Sequence, residues 1–154
     1  MVEGKLWGGR FTSDPDHAAW VLGRSVHFDA RLWPYDLAGS RAHAGELLRI
    51  GVLSSEEHRL ICAGLDGISE ELASGAFAFL DGDEDVHGAL ERRLVELCGE
   101  VGGRLRAGRS RNDQITSDLR LYLRQAITGL HPSSARTAAD ARSPPARPRL
   151  GARP

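Results

Sequence analysis

A chain of 154 residues, 41% hydrophobic and 27% charged, has the length and balance of a single globular domain with its own core, which excludes a wholly disordered polymer. No stretch approaches the run of about twenty apolar residues that a membrane span needs, and residues 1–7 lack the apolar segment of a secretory leader. The net charge of −1 hides an uneven spread: residues 1–130 carry 15 basic and 20 acidic side chains, whereas 131–154 carry five arginines against Asp140 alone.

A cytoplasmic setting is the default expectation. Cys62 and Cys98 lie far apart with no CxxC pair, so buried free thiols are expected rather than a disulfide framework or a zinc site.

After an irregular, glycine-rich start, Pro34 or Asp36 opens a helix that runs to Ile50, with Leu37, Leu47 and Leu48 among its apolar positions and Gly51 closing it. Ser54 and Glu57 form a capping box before a second helix, in which Leu60, Ile61, Gly64, Leu65, Ile68 and Leu72 recur at helical spacing until Gly75. Residues 81–85, Asp-Gly-Asp-Glu-Asp, concentrate acid at the start of a third helix, where negative charge meets the positive end of the dipole. Val86, Leu90, Leu94 and Leu97 are its expected buried stripe, and Gly99, Gly102 and Gly103 supply a flexible link.

A fourth helix begins near Ser110 to Asn112 and carries Ile115, Leu119, Tyr122, Ala126 and Leu130 on one face. Gly129-Leu130-His131-Pro132 is expected to break it, leaving an apolar face in want of a partner. No segment alternates as a half-buried strand does, so the fold class is mainly α.

Residues 1–130 therefore form one helical region, and 131–154 a tail. The tail holds five of the seven prolines and no aromatic side chain, and it reads as disordered. A frameshifted reading of a GC-rich gene accounts for it equally: Arg, Ala, Pro and Gly share GC-rich codons, and 19 of the 20 basic residues are Arg. Basic tails also bind nucleic acid, but the acidic body and the missing aromatics weigh against that here.

Three clusters carry chemistry. Arg109, Ser110, Arg111 and Asn112 place two guanidiniums and small polar groups at a helix amino terminus, where free N–H groups and the dipole favour an anion. The bland alternative is a solvated helix start whose arginines pair with Asp113, Asp118 or the acidic run. The second cluster is Asp83-Glu84-Asp85-Val86-His87, with Glu91 four residues after the histidine. Its spacing matches no established metal motif; Asp85 or Glu91 instead suit holding the arginines of the later loop, and His87 fits a satisfied core position as well. Ser25, the third, has no accompanying base and reads as a cap or turn.

Residues 5–11 (Lys-Leu-Trp-Gly-Gly-Arg-Phe), Asp29-Ala30-Arg31-Leu32-Trp33, residues 83–87 with Glu91-Arg92-Arg93-Leu94, and Gly108 to Gln114 occur together and in order, and they resemble the opening of argininosuccinate lyases over roughly residues 5–130. The resemblance implies a member of the fumarase and aspartase superfamily: a mostly helical subunit, a central bundle of long helices and a homotetramer with shared active sites. It implies reversible cleavage of argininosuccinate to arginine and fumarate, in arginine biosynthesis or the urea cycle, without metal or organic cofactor.

Ser25, Arg111 and Asn112 fall on substrate-binding positions of that family, with Arg109 and Ser110 in the same loop, while Asp85, His87 and Glu91 fall in a supporting segment. Gly88 stands where the family commonly has Thr. The later threonine-histidine segment and the loop with the family's catalytic serine and lysine have no counterpart here. A truncated, inactive piece lacking the completed bundle is therefore expected, with neither membrane nor nucleic acid as partner. The competing expectation is a non-catalytic helical module that docks onto other helices.

Overall fold

A computed structural model describes residues 16–142, with side chains as far as residue 130. The motif at residues 5–11 and the tail residues 143–154 lie outside the described residues. Among the described residues every regular element is helical, in line with a mainly α fold.

Asp16 caps the short α1 (His17–Gly23) by accepting the Ala18 N–H at 2.9 Å. A single turn, α2 (Val26–Asp29), passes through a 3-10 turn (Ala30–Leu32) into α3 (Trp33–Arg49). Pro34 sits in the first turn of α3, where an amide hydrogen would have no intrahelical partner. The chain reverses after Ile50 through Gly51, whose φ of +79° an L side chain rarely adopts.

The capping box forms as expected ahead of α4 (Ser55–Ser74): Ser54 Oγ accepts the Glu57 N–H at 3.2 Å, and the Ser54 N–H donates to Glu57 at 2.9 Å. Asp85 caps α5 (Val86–Cys98) by accepting the Gly88 N–H at 2.6 Å. The one-turn α6 (Glu100–Gly103), a 3-10 turn (Arg104–Arg106) and the long α7 (Arg111–Arg142) complete the order.

The core lies among α3, α4 and α5, where Ala44, Ile61, Ile68, Val86 and Ala89 have no solvent exposure. Each fully buried aliphatic side chain of Val or Ile size stabilises by roughly 1.5–3 kcal/mol. On α4 the stripe is Ile61, Gly64, Leu65 and Ile68, with Leu60 at its exposed margin.

Three expectations need correction. Leu97 is 42% exposed; Cys98, four residues after Leu94, takes the buried place instead, because the interface follows the i, i+4 row. The glycine link is not a loose tether: Gly102 is buried, and a Cβ there would stand 2.7 Å from the Leu94 carbonyl oxygen, so glycine is what lets α6 lie against α5. The anticipated break at residues 129–132 does not occur, and α7 continues to Arg142. Pro132 forfeits one helical hydrogen bond, while the Ala and Arg residues that follow are strong helix formers.

The apolar side of α7 faces outward, as expected of a face in want of a partner, and the seam is built from its other side. Ile115, Leu119 and Leu130 are 37%, 46% and 65% exposed, and the buried positions are Gln114 and Asp118. Tyr35 fixes the packing: its ring meets Tyr122 edge-on at 5.8 Å, and its hydroxyl donates to Gln125 at 2.8 Å. Since His43 meets Ala107, Ser40 meets Arg109 and Tyr35 meets Gln125, α7 and the loop before it run antiparallel to α3, with polar side chains at the seam. No helix among the described residues is long and apolar enough to cross a membrane.

Candidate functional site

The arginine-rich loop leads from the 3-10 turn to α7, and Gly108 takes a φ of +66° to make the turn. Its far side is tied to α3 by His43, whose Nε2 lies 3.0 Å from the Ala107 carbonyl. The two guanidiniums then part ways. Arg109 is drawn inward and donates through Nη1 to Ser40 Oγ at 2.8 Å. Arg111, the first residue of α7, is half-buried and donates to Gln114 Oε1 at 3.2 Å and Glu91 Oε2 at 3.4 Å.

Glu91 also holds Arg106 at 3.1 Å, so its carboxylate stands between two arginines. Asp85 does otherwise, since its carboxylate caps α5. Asn112 and Ser110 are exposed beside Arg111.

Behind the loop lies a buried polar cluster. His87 is 2% exposed, and its Nδ1 stands 2.5 Å from Asp36 Oδ2 and 3.5 Å from Asp118 Oδ2. Gln114 Nε2 donates to the same Asp36 oxygen at 2.6 Å, and Ser40 Oγ donates to Asp36 Oδ1 at 3.0 Å. Asp118 has no solvent exposure, and neither of its oxygens has a hydrogen-bond partner among the described residues.

Electrostatics follow from that geometry. Burial works against the charge of Asp36, but the hydrogen bond and charge of His87, the Arg109 charge and the Gln114 hydrogen bond together hold its carboxyl below the ordinary range. Burial likewise works against a charged His87; the hydrogen bond and charge of Asp36, helped by Asp85, outweigh it and raise the imidazole above 6.5. Burial and the Asp36 charge push Asp118 up to about 6. Burial lowers Arg109.

One donor atom from each of Asp36, His87 and Asp118 lies within 4.8 Å of the others, and two carboxylates with an imidazole are a donor set a divalent ion accepts. The site is committed differently: the imidazole nitrogen already meets the carboxylate directly, Gln114 holds the same oxygen, and Arg109 supplies further positive charge. The cluster serves as an internal ion network.

A cavity of about 40 Å³ borders this network, lined on its polar side by His87, Glu91, Arg106, Arg109, Arg111 and Gln114 and floored by Leu65, Leu90 and Leu94. Such a space holds a water molecule or two rather than a substrate.

Ser25 stands at another edge. Its Oγ donates to Asp29 Oδ2 at 2.6 Å, Asp29 Oδ1 accepts the Val86 N–H at 3.0 Å, and the Ser25 N–H donates to the Glu84 carbonyl at 2.8 Å. Ser25 is thus fastened to the segment that starts α5, one residue before His87.

Asp36, Ser40, Gln114 and Asp118 were not singled out as site residues by the sequence. A signal existed in their spacing: Asp36 with Ser40, and Gln114 with Asp118, are polar pairs four apart on helices expected to be apolar on their inner faces.

Among the described residues the fold is helical and carries an arginine-bearing helix tip braced by half-buried ion pairs, and the sequence has a clear family assignment. Residues 9–137 match the family model described as Lyase, and the chain belongs to that family. It is 53% identical over 126 residues to an argininosuccinate lyase of Mycolicibacterium gilvum (strain PYR-GCK), covering 81% of this chain and 27% of that protein. The argininosuccinate lyase of Leifsonia xyli subsp. xyli is 57% identical over 123 residues, covering 79% of this chain and 26% of the relative. That of Nocardia farcinica is 54% identical over 125 residues, with 80% and 26% covered. The chain spans about a quarter of the length of these curated relatives.

Proposed function

We propose that this chain forms the substrate-holding part of an argininosuccinate lyase, which eliminates fumarate from argininosuccinate and releases arginine. The observation that carries the reading is Arg111 beside Asn112 at the amino terminus of a long helix: a half-buried guanidinium braced from behind by Glu91 and Gln114, next to an exposed amide. Loss of a proton next to a carboxylate builds negative charge on that carboxylate, and fixed donors at a helix tip stabilise it as it develops.

In this reading Arg111 takes a carboxylate of the substrate and Asn112 orients it by donating and accepting. Ser25, held against the start of α5, supplies a hydroxyl from a second edge, and Ser110 adds small polar surface. Arg109 anchors the loop from inside. Asp85 and Glu91 keep α5 and the arginines in place.

The working enzyme is a cytoplasmic homotetramer in arginine biosynthesis, needing no cofactor and binding neither nucleic acid nor membrane. The groups that move protons in such an enzyme have no counterpart among these 154 residues. The purified chain is therefore expected to form no fumarate from argininosuccinate above a blank, followed by ultraviolet absorbance.

Binding can be tested separately. Adding fumarate to the ¹⁵N-labelled chain should move the Arg111 Nε–H and Asn112 side-chain signals, with the response lost in Arg111→Ala and weakened by salt. Absence of any response at these two residues would remove the substrate-holding assignment. The alternative, a non-catalytic helical module, draws on the exposed apolar row of α7 and predicts a defined complex in size-exclusion chromatography with no response to fumarate.

A further inference from the structure

Asp36 lies near the start of α3 at 2% exposure, and it receives hydrogen bonds from three directions. Oδ2 meets His87 Nδ1 of α5 at 2.5 Å and Gln114 Nε2 of α7 at 2.6 Å; Oδ1 meets Ser40 Oγ at 3.0 Å. Ser40 in turn accepts from Arg109 at 2.8 Å, which ties the arginine loop to the same carboxylate. A buried carboxylate offers acceptors only. Whatever faces it must donate.

That requirement has a directional consequence at Gln114. Its amide has one donating and one accepting end, and Asp36 claims the donating end. The oxygen is left facing outward, where it accepts from Arg111 Nη1 at 3.2 Å. With the amide reversed, an NH₂ group would confront the guanidinium, and two donors repel. The same logic fixes His87, whose Nδ1 must carry a proton wherever it faces an ionised Asp36.

We propose that Asp36 is a positioning residue of the substrate loop: it fixes the proton on His87 Nδ1 at one side and, by setting which end of the Gln114 amide points outward, orients the Arg111 guanidinium at the other. The inference rests on the reading of Arg111 as the residue that holds the substrate carboxylate. The charged groups around the pair belong to every neighbouring element: Asp85 on the same segment as His87, Asp118 and Arg111 on α7, and Arg109 on the loop. Asp118 and Asp85 favour a charged His87, Arg111 opposes it, and Arg109 favours an ionised Asp36.

The test uses the 154-residue chain without ligand and follows the His87 ring nitrogens and the Arg111 Nε–H by ¹⁵N NMR against pH. In the wild type, Nδ1 of His87 should stay protonated throughout, with ring titration above 6.5. Asp36→Asn should lower that titration by about one pH unit or more and displace the Arg111 signal. Gln114→Ala should displace the Arg111 signal while leaving the His87 titration within a few tenths of a unit of wild type, a split that general loosening of the fold would not produce.

If Asp36→Asn fails to fold by circular dichroism, the wild-type titration and Gln114→Ala decide. A wild-type His87 whose neutral ring carries its proton on Nε2 instead of Nδ1, or an Arg111 signal unmoved by Gln114→Ala, overturns the proposal. Because no fumarate is present, a failure of fumarate to bind Arg111 is read separately and counts against the substrate assignment alone.

Discussion

Asp118 and His87 give this fold an unusual dependence on pH. The native state holds Asp118 up to about 6 because burial and the Asp36 charge disfavour its ionised form, whereas in the unfolded chain it ionises near the model value of 3.8. Between those values the folded chain binds more protons than the unfolded one, so stability falls as pH rises, and the penalty is complete above about 6. His87 adds to this with the same sign: its stabilising contribution is full below 6.5 and is lost as pH climbs through its raised folded value. Asp36 runs the other way, but its lowered pKa confines its effect to pH below 3.8.

The urea midpoint is therefore expected to decline from pH 5 to pH 8. Asp118→Asn should flatten the lower part of that decline and stabilise the chain at pH 8 by on the order of 1–3 kcal/mol. A midpoint that rises with pH over this window would contradict the account. Residue-level chemistry of this kind was poorly legible in the sequence. Arg111, Asn112, His87 and Glu91 stand out because their types and order match a known pattern, while Asp36 reads as a helix opener and Asp118 as one of several solvated partners for the arginines; only the packing of α3 on α7 buries them together. A buried ion network is a property of the pairing between helices, which no local pattern reports.

At the scale of elements, most of the fold could be read beforehand, and the reason is local physics. The Ser54 and Glu57 capping box, the left-handed Gly51 and Gly75, and Pro34 in a first turn act within a few residues of themselves, so sequence alone locates them. Gly102 was misread because its role is tertiary. A Cβ there would lie 2.7 Å from the Leu94 carbonyl oxygen and 3.1 Å from Val95 Cα, and backbone atoms cannot rotate away. At Gly64 a Cβ would meet Cys98 Sγ at 2.6 Å and Leu94 Cδ1 at 2.8 Å, both on side chains that can turn.

Gly102→Ala is thus expected to destabilise by about 1–3 kcal/mol or more, as overpacking does. Gly64→Ala should cost less, since rotamer relief and an intrinsic helix gain of up to about 1 kcal/mol offset the crowding. Thermal melts of the two variants compare them directly. An equal or reversed order would mean that the contact between α6 and α5 yields more readily than its backbone geometry implies.

For the whole molecule, the decisive feature is the outward-facing apolar row of helix α7. Its polar side faces α3, while Ile115, Leu119, Leu123, Ile127 and Leu130 form a row whose exposure rises from 37% to 65% along the helix. Thirty-two residues make a rod about 48 Å long. Covering what remains exposed of five aliphatic side chains yields on the order of 5 kcal/mol per helix, comparable with the lower end of the roughly 4–15 kcal/mol that association costs.

One helix pairing therefore leaves little surplus, and a stable assembly needs each such helix to meet several others, as in the tetramer proposed above. Weak, concentration-dependent self-association is what this chain alone should show in sedimentation velocity. Ile127→Asp places a charge in the most exposed part of the row without touching the core, so it should shift the chain toward monomer while leaving its helicity intact. A chain that stays monomeric at every concentration, or that associates equally well with Asp at position 127, would mean that the outward row of α7 does not drive assembly.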